Sequence, residues 1–129
     1  MPVVMISLVS GWSAADKRKL SDTIHNALVS AFAIPTDDYN HRIVEYKPSD
    51  FILPAGKSEK FVLIEMTVFP GRSADAKAKL YKEIVDGLEK LGVPKSDVLI
   101  VLNEPPMENW GVRGGQRGDT VNIGFNLKV

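Results

Sequence analysis

The chain has 129 residues and no cysteine, which excludes disulfides, thiolate nucleophiles and Cys-based zinc sites and fits a reducing compartment. It has no net charge, because 16 Lys+Arg balance 16 Asp+Glu, and no basic run stands ready to displace counterions from a phosphate backbone. Nucleic acid is therefore not expected as a partner. No stretch reaches the ~20 continuous apolar residues of a membrane span, and the N-terminus lacks the charged and long apolar regions of a signal peptide. A cytoplasmic protein with no membrane partner is expected. Histidine is scarce too: His25 and His41 form no metal-ligand or triad pattern. His25, one position beyond Ile24, reads as a partly exposed helix residue, and His41, beside Arg42 at a strand start, is placed to orient a side chain near Asp38. No serine has a base in sequence context, and Gly114-Gly115 lacks the lysine and spacing of a phosphate loop. No metal and no cofactor are implied.

What is present starts at the first residues, Met1-Pro2-Val3-Val4-Met5-Ile6. Removal of Met1 would leave a proline with a free secondary amine at the head of an apolar run. An α-amino group titrates near ~8 when unperturbed, and burial without a counter-charge lowers that value toward the range of a useful base. The ring fixes φ, so the nitrogen would sit rigidly at a strand start. Met-Pro is equally an ordinary beginning, and the rest of the chain decides between the two.

Periodicity writes one unit twice. Residues 3–9 read as a strand, and Ser13 opens a helix with Leu20, Ile24, Ala27, Leu28 and Ala31 on one face, ending before Pro35. A strand over 41–46 follows. The second half repeats the order, with a strand over 60–69, a helix from Ser73 carrying Leu80, Ile84, Leu88 and Leu91, then Pro94 and a strand over 98–102. Gly11 sits against Gly71, Ser13 against Ser73, Leu20 against Leu80, Ile24 against Ile84 and Leu28 against Leu88, all at one offset. Each half is a βαβ unit with parallel strands. Together they predict an α+β single domain over 1–129, built from repeats at about 1–58 and 59–129, with a four-stranded sheet and two helices on one face. A Gly- and Pro-rich stretch over 105–115 reads as a loop or tight hairpin, and alternation over 121–129 reads as a half-buried strand. The far sheet face needs a cover, and with no third helix that cover is another subunit.

Four features resemble the tautomerase superfamily, the 4-oxalocrotonate tautomerase-like fold. They are Pro2 at the first strand, the Gly-x-Ser helix starts at Gly11 and Gly71-Arg72-Ser73, the tandem βαβ repeat, and the turn Trp110-Gly111-Val112-Arg113-Gly114-Gly115. The doubled length resembles the fused branch, and within it the malonate semialdehyde decarboxylase-like members. This resemblance implies a homotrimer acting on a small carboxylate with Pro2 as general base or acid. An aspartate after the first helix falls on Asp38. Of two arginines at the second helix start, one falls on Arg72 and the other position holds Pro70; Trp12 stands where simple tautomerases carry arginine.

The candidate catalytic residues are Pro2, Arg72 and Asp38, and the candidate substrate-binding residues are Trp110, Arg113 and Arg42. Arg72 precedes a helix start, where unpaired amides and the positive dipole end favour an anion, and a guanidinium there can hold a carboxylate through two hydrogen bonds. Asp38 is suited to orient a water or to serve as a turn residue, like its repeat partner Asp97. Trp110 is suited to wall a pocket or anchor an interface, and Arg113 and Arg42 to meet a carboxylate or form ion pairs. The expected activity is keto–enol tautomerisation of a small 2-oxo or enol carboxylate. Malonate semialdehyde decarboxylation, hydration of a haloacrylate and a non-catalytic trimeric binding module remain as alternatives.

Overall fold

Two serines start the helices. In the computed structural model, which describes residues 2–129, Ser13 Oγ accepts from the Asp16 amide and Ser73 Oγ from the Ala76 amide, both at 3.1 Å. Each satisfies one of the amides that a helix start leaves unpaired. The helices α1 (Ala14–Phe32) and α2 (Ala74–Glu89) follow. The first stops at Ala33, whose φ of 55° is left-handed, before the Ile34-Pro35 pair that disfavours further helix.

The four strands β1 (Val3–Val9), β2 (His41–Tyr46), β3 (Val62–Thr67) and β4 (Val98–Asn103) lie in the order β2-β1-β3-β4. Within each unit the strands are parallel, as a helical crossover requires. Where the units meet, β1 and β3 run antiparallel with Met5 opposite Glu65, so an approximate twofold relates the two halves. Val4, Ile6 and Leu8 of β1 and Val62, Ile64 and Met66 of β3 face the helices. They are fully buried against Leu20, Ile24 and Leu28 of α1 and Leu80, Ile84 and Leu88 of α2. Each such side chain stabilises the fold by roughly 1.5–3 kcal/mol. The helices approach closely at Gly87, where a Cβ would lie 2.4 Å from Thr23 Cγ2.

The other sheet face presents Val3, Met5, Val44, Leu63, Leu99 and Val101 around Arg42 and Glu65, by the strand register. Leu99 and Val101 remain 49% and 40% exposed. A small hairpin, β5 (Gly111–Val112) and β6 (Gln116–Arg117), turns through Arg113 at φ 48°.

The strand expected over 121–129 does not form. Its alternation is real, since the odd positions are half-buried and the even ones exposed, but among the described residues it pairs with no other strand. A strand needs a neighbouring edge as well as a pattern. The segment instead runs past the start of α2, where Val129 O accepts from the Ser73 amide at 2.9 Å. Leu127 O lies 3.1 Å from where a Cβ on Gly71 (φ 130°) would stand. No helix among the described residues is long and apolar enough to cross a membrane.

Candidate active site

Arg72 lies where three elements converge. Its Nη1 donates to Phe69 O at 3.1 Å, just beyond β3, and its Nη2 to Phe32 O at 3.2 Å, at the carbonyl end of α1. It also immediately precedes the Ser73 cap of α2. A cation is favoured at the end of one helix and an anion at the start of the next, so the guanidinium is well held at the carbonyl end of α1 while the chain at Arg72 enters a helix start that suits an anion. The residue is 6% exposed, its Nε has no hydrogen-bond partner, and it makes no ion pair among the described residues. The guanidinium carbon lies 4.9 Å from the Phe32 ring centroid and 5.8 Å from that of Phe125. Burial holds its pKa below the usual arginine value, while Glu104 acts in the opposite direction. That carboxylate is itself paired with Lys77 at 2.6 Å.

Pro2 and Arg72 share one narrow crevice with Phe32, Ile34, Val68 and Phe69. Phe69 also lines a neighbouring open cleft of about 460 Å³, together with Asp37, Asp38, Arg113, Ile123 and Phe125. Pro2 is buried, although Met1 and the question of its removal lie outside the described residues. Asp38 is half-buried and Arg113 exposed in this cleft.

Two candidates fall outside both linings. Trp110 stands behind Phe69, its ring edge-on with centroids 4.6 Å apart, and its Nε1 donates to Pro105 O at 3.2 Å. Arg42 is exposed beside Met5 on the sheet face turned away from the helices. Asp97, the repeat partner of Asp38, is 2% exposed and accepts from the Ser58 amide at 3.3 Å and from the Ser58 hydroxyl, a structural arrangement.

The internal twofold gives this region a counterpart at the opposite end of β1 and β3. There a cleft of about 620 Å³ is lined by Trp12, Asp16, Glu59, Lys60 and Leu91. Trp12 occupies the place of Arg72, and Val62, at the offset from Pro2, is a buried mid-chain residue with no amine to offer. The chemistry available to Pro2 and Arg72 therefore belongs to one end of the sheet.

His25, expected on the helix surface, is 6% exposed. Its Nε2 donates to Thr36 O at 2.8 Å and its ring stacks on Tyr39 with centroids 4.2 Å apart. His41 Nδ1 lies 2.8 Å from Ser21 Oγ, and burial pushes the His41 pKa down to about 4, so its imidazole is neutral at pH 7. The Tyr39 hydroxyl lies 2.8 Å from Ser21 Oγ and 2.7 Å from Asp22 Oδ1. That hydrogen bond is the main cause holding the Asp22 carboxyl below its usual pKa. Of this group residue pattern singled out only His41, as a residue placed to orient a side chain near Asp38, and it gave no sign of Phe32, Phe69 and Phe125 around Arg72.

Comparison with known proteins fits this geometry. Two family profiles, each described as "Tautomerase enzyme", match residues 38–113 and 2–60. Probable tautomerase YusQ of Bacillus subtilis (strain 168) is 34% identical over 122 residues, covering 90% of this chain and 96% of that protein. Among solved structures, malonate semialdehyde decarboxylase is similar with a TM-score of 0.82 and 28% identity, over 92% of this chain and 99% of that one. A symmetric trimer of fused 4-OT has a TM-score of 0.80 and 25% identity, over 91% and 96% of the two chains. The chain belongs to the tautomerase family.

Proposed function

We propose that this protein is a cofactor-independent keto–enol tautomerase acting on a small 2-oxo or enol carboxylate, with Pro2 as general base once Met1 is removed. The observation that carries this reading is Arg72: a buried guanidinium with an unpartnered Nε and no acidic partner among the described residues, sharing a crevice with Pro2. A buried cation in such a position calls for an anion, and a carboxylate answers it with charge-assisted hydrogen bonds. The same cation disfavours a second positive charge nearby, and burial does likewise, so both lower the pKa of a Pro2 amine and favour its basic form. In ketonisation Pro2 nitrogen takes the enol hydroxyl proton as the carbonyl forms, and the resulting ammonium returns a proton to the adjacent carbon.

In this reading the substrate occupies the cleft beyond Phe69, and its carboxylate reaches Arg72 as the Phe125 ring moves aside. Asp38 orients the enol or a water, Arg113 meets a second polar group, and Trp110 acts by backing Phe69. Arg42, on the open sheet face, belongs to subunit contact instead. Pro70 in place of a second arginine weighs against decarboxylation, whereas Asp38 in the cleft is the feature that would serve it.

The direct experiment follows ketonisation of phenylenolpyruvate by absorbance alongside carbon dioxide release from malonate semialdehyde. Ketonisation well above the solvent rate, without decarboxylation, is expected. Decarboxylation alone would reassign the reaction, and neither activity in protein lacking Met1 would leave only a binding role. We also propose a homotrimer, since the apolar sheet face with Leu99 and Val101 needs cover and a related fused chain forms a symmetric trimer. Sedimentation should give three times the chain mass, and a monodisperse monomer would overturn it.

A further inference from the structure

We propose that His25 and Tyr39 are positioning residues that hold Asp38 in the cleft; this rests on the reading above, in which Asp38 meets the substrate. Asp38 lies in the connection from α1 to β2, which has no regular secondary structure between Ala33 and Asn40. A carboxylate on such a segment is useful only if the backbone around it is fixed. Within the segment the Asp38 amide donates to Pro35 O at 3.1 Å and the Tyr39 amide to Asp37 O at 3.0 Å, and three further ties, which bracket Asp38, fasten it to the rest of the fold. On one side Thr36 O accepts from His25 Nε2. On the other, the Tyr39 ring lies flat on His25 while its hydroxyl meets Ser21 and Asp22. One residue further, Asn40 O accepts from the Val4 amide at 3.0 Å, which binds the segment to β1 two residues from Pro2.

The direction of the hydrogen bonds follows from the groups themselves. Thr36 O can only accept, so His25 donates to it from Nε2. Asp22 is acceptor-only when ionised, so the single Tyr39 proton goes to Asp22; the Ser21 hydroxyl then donates to Tyr39 oxygen, and His41 donates to Ser21 from Nδ1. The chain runs in one direction, from half-buried His41 to half-exposed Asp22, where Arg18 Nε adds a bond at 3.1 Å. Every side chain that holds the Tyr39 ring and hydroxyl by hydrogen bonding or stacking comes from α1 or the start of β2.

Stability alone is a poor explanation for this cluster. His25 Nδ1 and His41 Nε2 are both buried without a hydrogen-bond partner. Each such orphan costs about 1–3 kcal/mol, a cost that apolar side chains of similar size would avoid. What imidazole and phenol offer here, and apolar groups do not, is a directional grip on the main chain at Thr36 and on the residue after Asp38.

The test compares His25→Ala, His25→Gln and Tyr39→Phe, each alone and combined with Asp38→Asn, in steady-state turnover of phenylenolpyruvate. Displacing Asp38 should lower kcat by on the order of tenfold to a hundredfold with KM nearly unchanged. His25→Gln keeps a donor for Thr36 O and should recover most of kcat. In the Asp38→Asn background the same substitutions should cost less than about twofold, because nothing is left to position. If His25→Ala does not fold, Tyr39→Phe, which retains the ring stack, carries the comparison. The same loss with and without Asp38→Asn, or full kcat in Tyr39→Phe and His25→Ala while Asp38→Asn is impaired, would overturn the positioning role. Full activity of Asp38→Asn itself would remove the reading of Asp38 beneath it.

Discussion

Pro2→Ala is expected to lower kcat/KM for phenylenolpyruvate by about a hundredfold or more, and blocking the Pro2 nitrogen to reduce turnover to the solvent rate. The two changes remove different things. Alanine still offers an amine after Met1 is removed, but on a backbone free to rotate, so the loss measures the rigid placement that the pyrrolidine ring supplies beside Phe32, Ile34 and Phe69. A non-removable N-terminal extension converts the nitrogen into an amide, which cannot take a proton at pH 7, and the whole general-base contribution of roughly 10²–10⁴ is lost. Neither change removes the strand hydrogen bond nearest this position, because the tie to Asn40 O is made by the Val4 amide. Circular dichroism should therefore report an unchanged fold. Turnover by the extended chain at the rate of the processed one would end the case for Pro2.

Arg72→Ala is expected to reduce kcat/KM by about 10²–10³-fold, equivalent to roughly 3–4 kcal/mol, the range for losing charge-assisted hydrogen bonds to a carboxylate. The same substitution frees the Phe69 and Phe32 carbonyls, so a drop in stability of about 1–3 kcal/mol accompanies it. The two effects separate through the substrate. Wild-type protein should turn over the free acid far faster than its neutral methyl ester, and in the Arg72 variant that preference should collapse. Arg72→Lys keeps the charge but loses the planar fork, so it should fall between the two. An acid-to-ester preference that survives in Arg72→Ala would show that the buried guanidinium only braces α1 against β3.

The repeat, the two serine caps and the strand over 41–46 were legible in the chain because each is written in a short window: a cap, a stripe of Leu and Ile, an apolar alternation. Pro2 and Arg72 were legible for a different reason, since each is an unusual chemical group at a marked position, a strand head and a helix start. His25 was misjudged because one apolar stripe accounts for only one buried face. α1 is covered on a second side by the Thr36–Tyr39 connection, and no periodicity within the helix reveals what another segment lays against it. The tail over 121–129 shows the complementary error, since alternation describes which side chains are shielded but a strand also requires an edge to pair with. Trp110 stood out by rarity, yet Phe69, an ordinary strand-end residue, is the ring that borders both the crevice and the cleft.

By itself the amino-acid sequence determined two βαβ units, their core faces and the presence of a proline at a strand head and a guanidinium at a helix start. Those features depend on neighbours within a helical turn or two, where spacing is fixed by backbone geometry. Only the tertiary structure decided that β1 and β3 meet antiparallel, that Pro2 and Arg72 share a crevice at one end of the sheet and not its counterpart, and that Arg72 is buried with no ion pair among the described residues. Those facts depend on which distant segments pack together, and close packing sets such contacts through shape across the whole core, which no local window records.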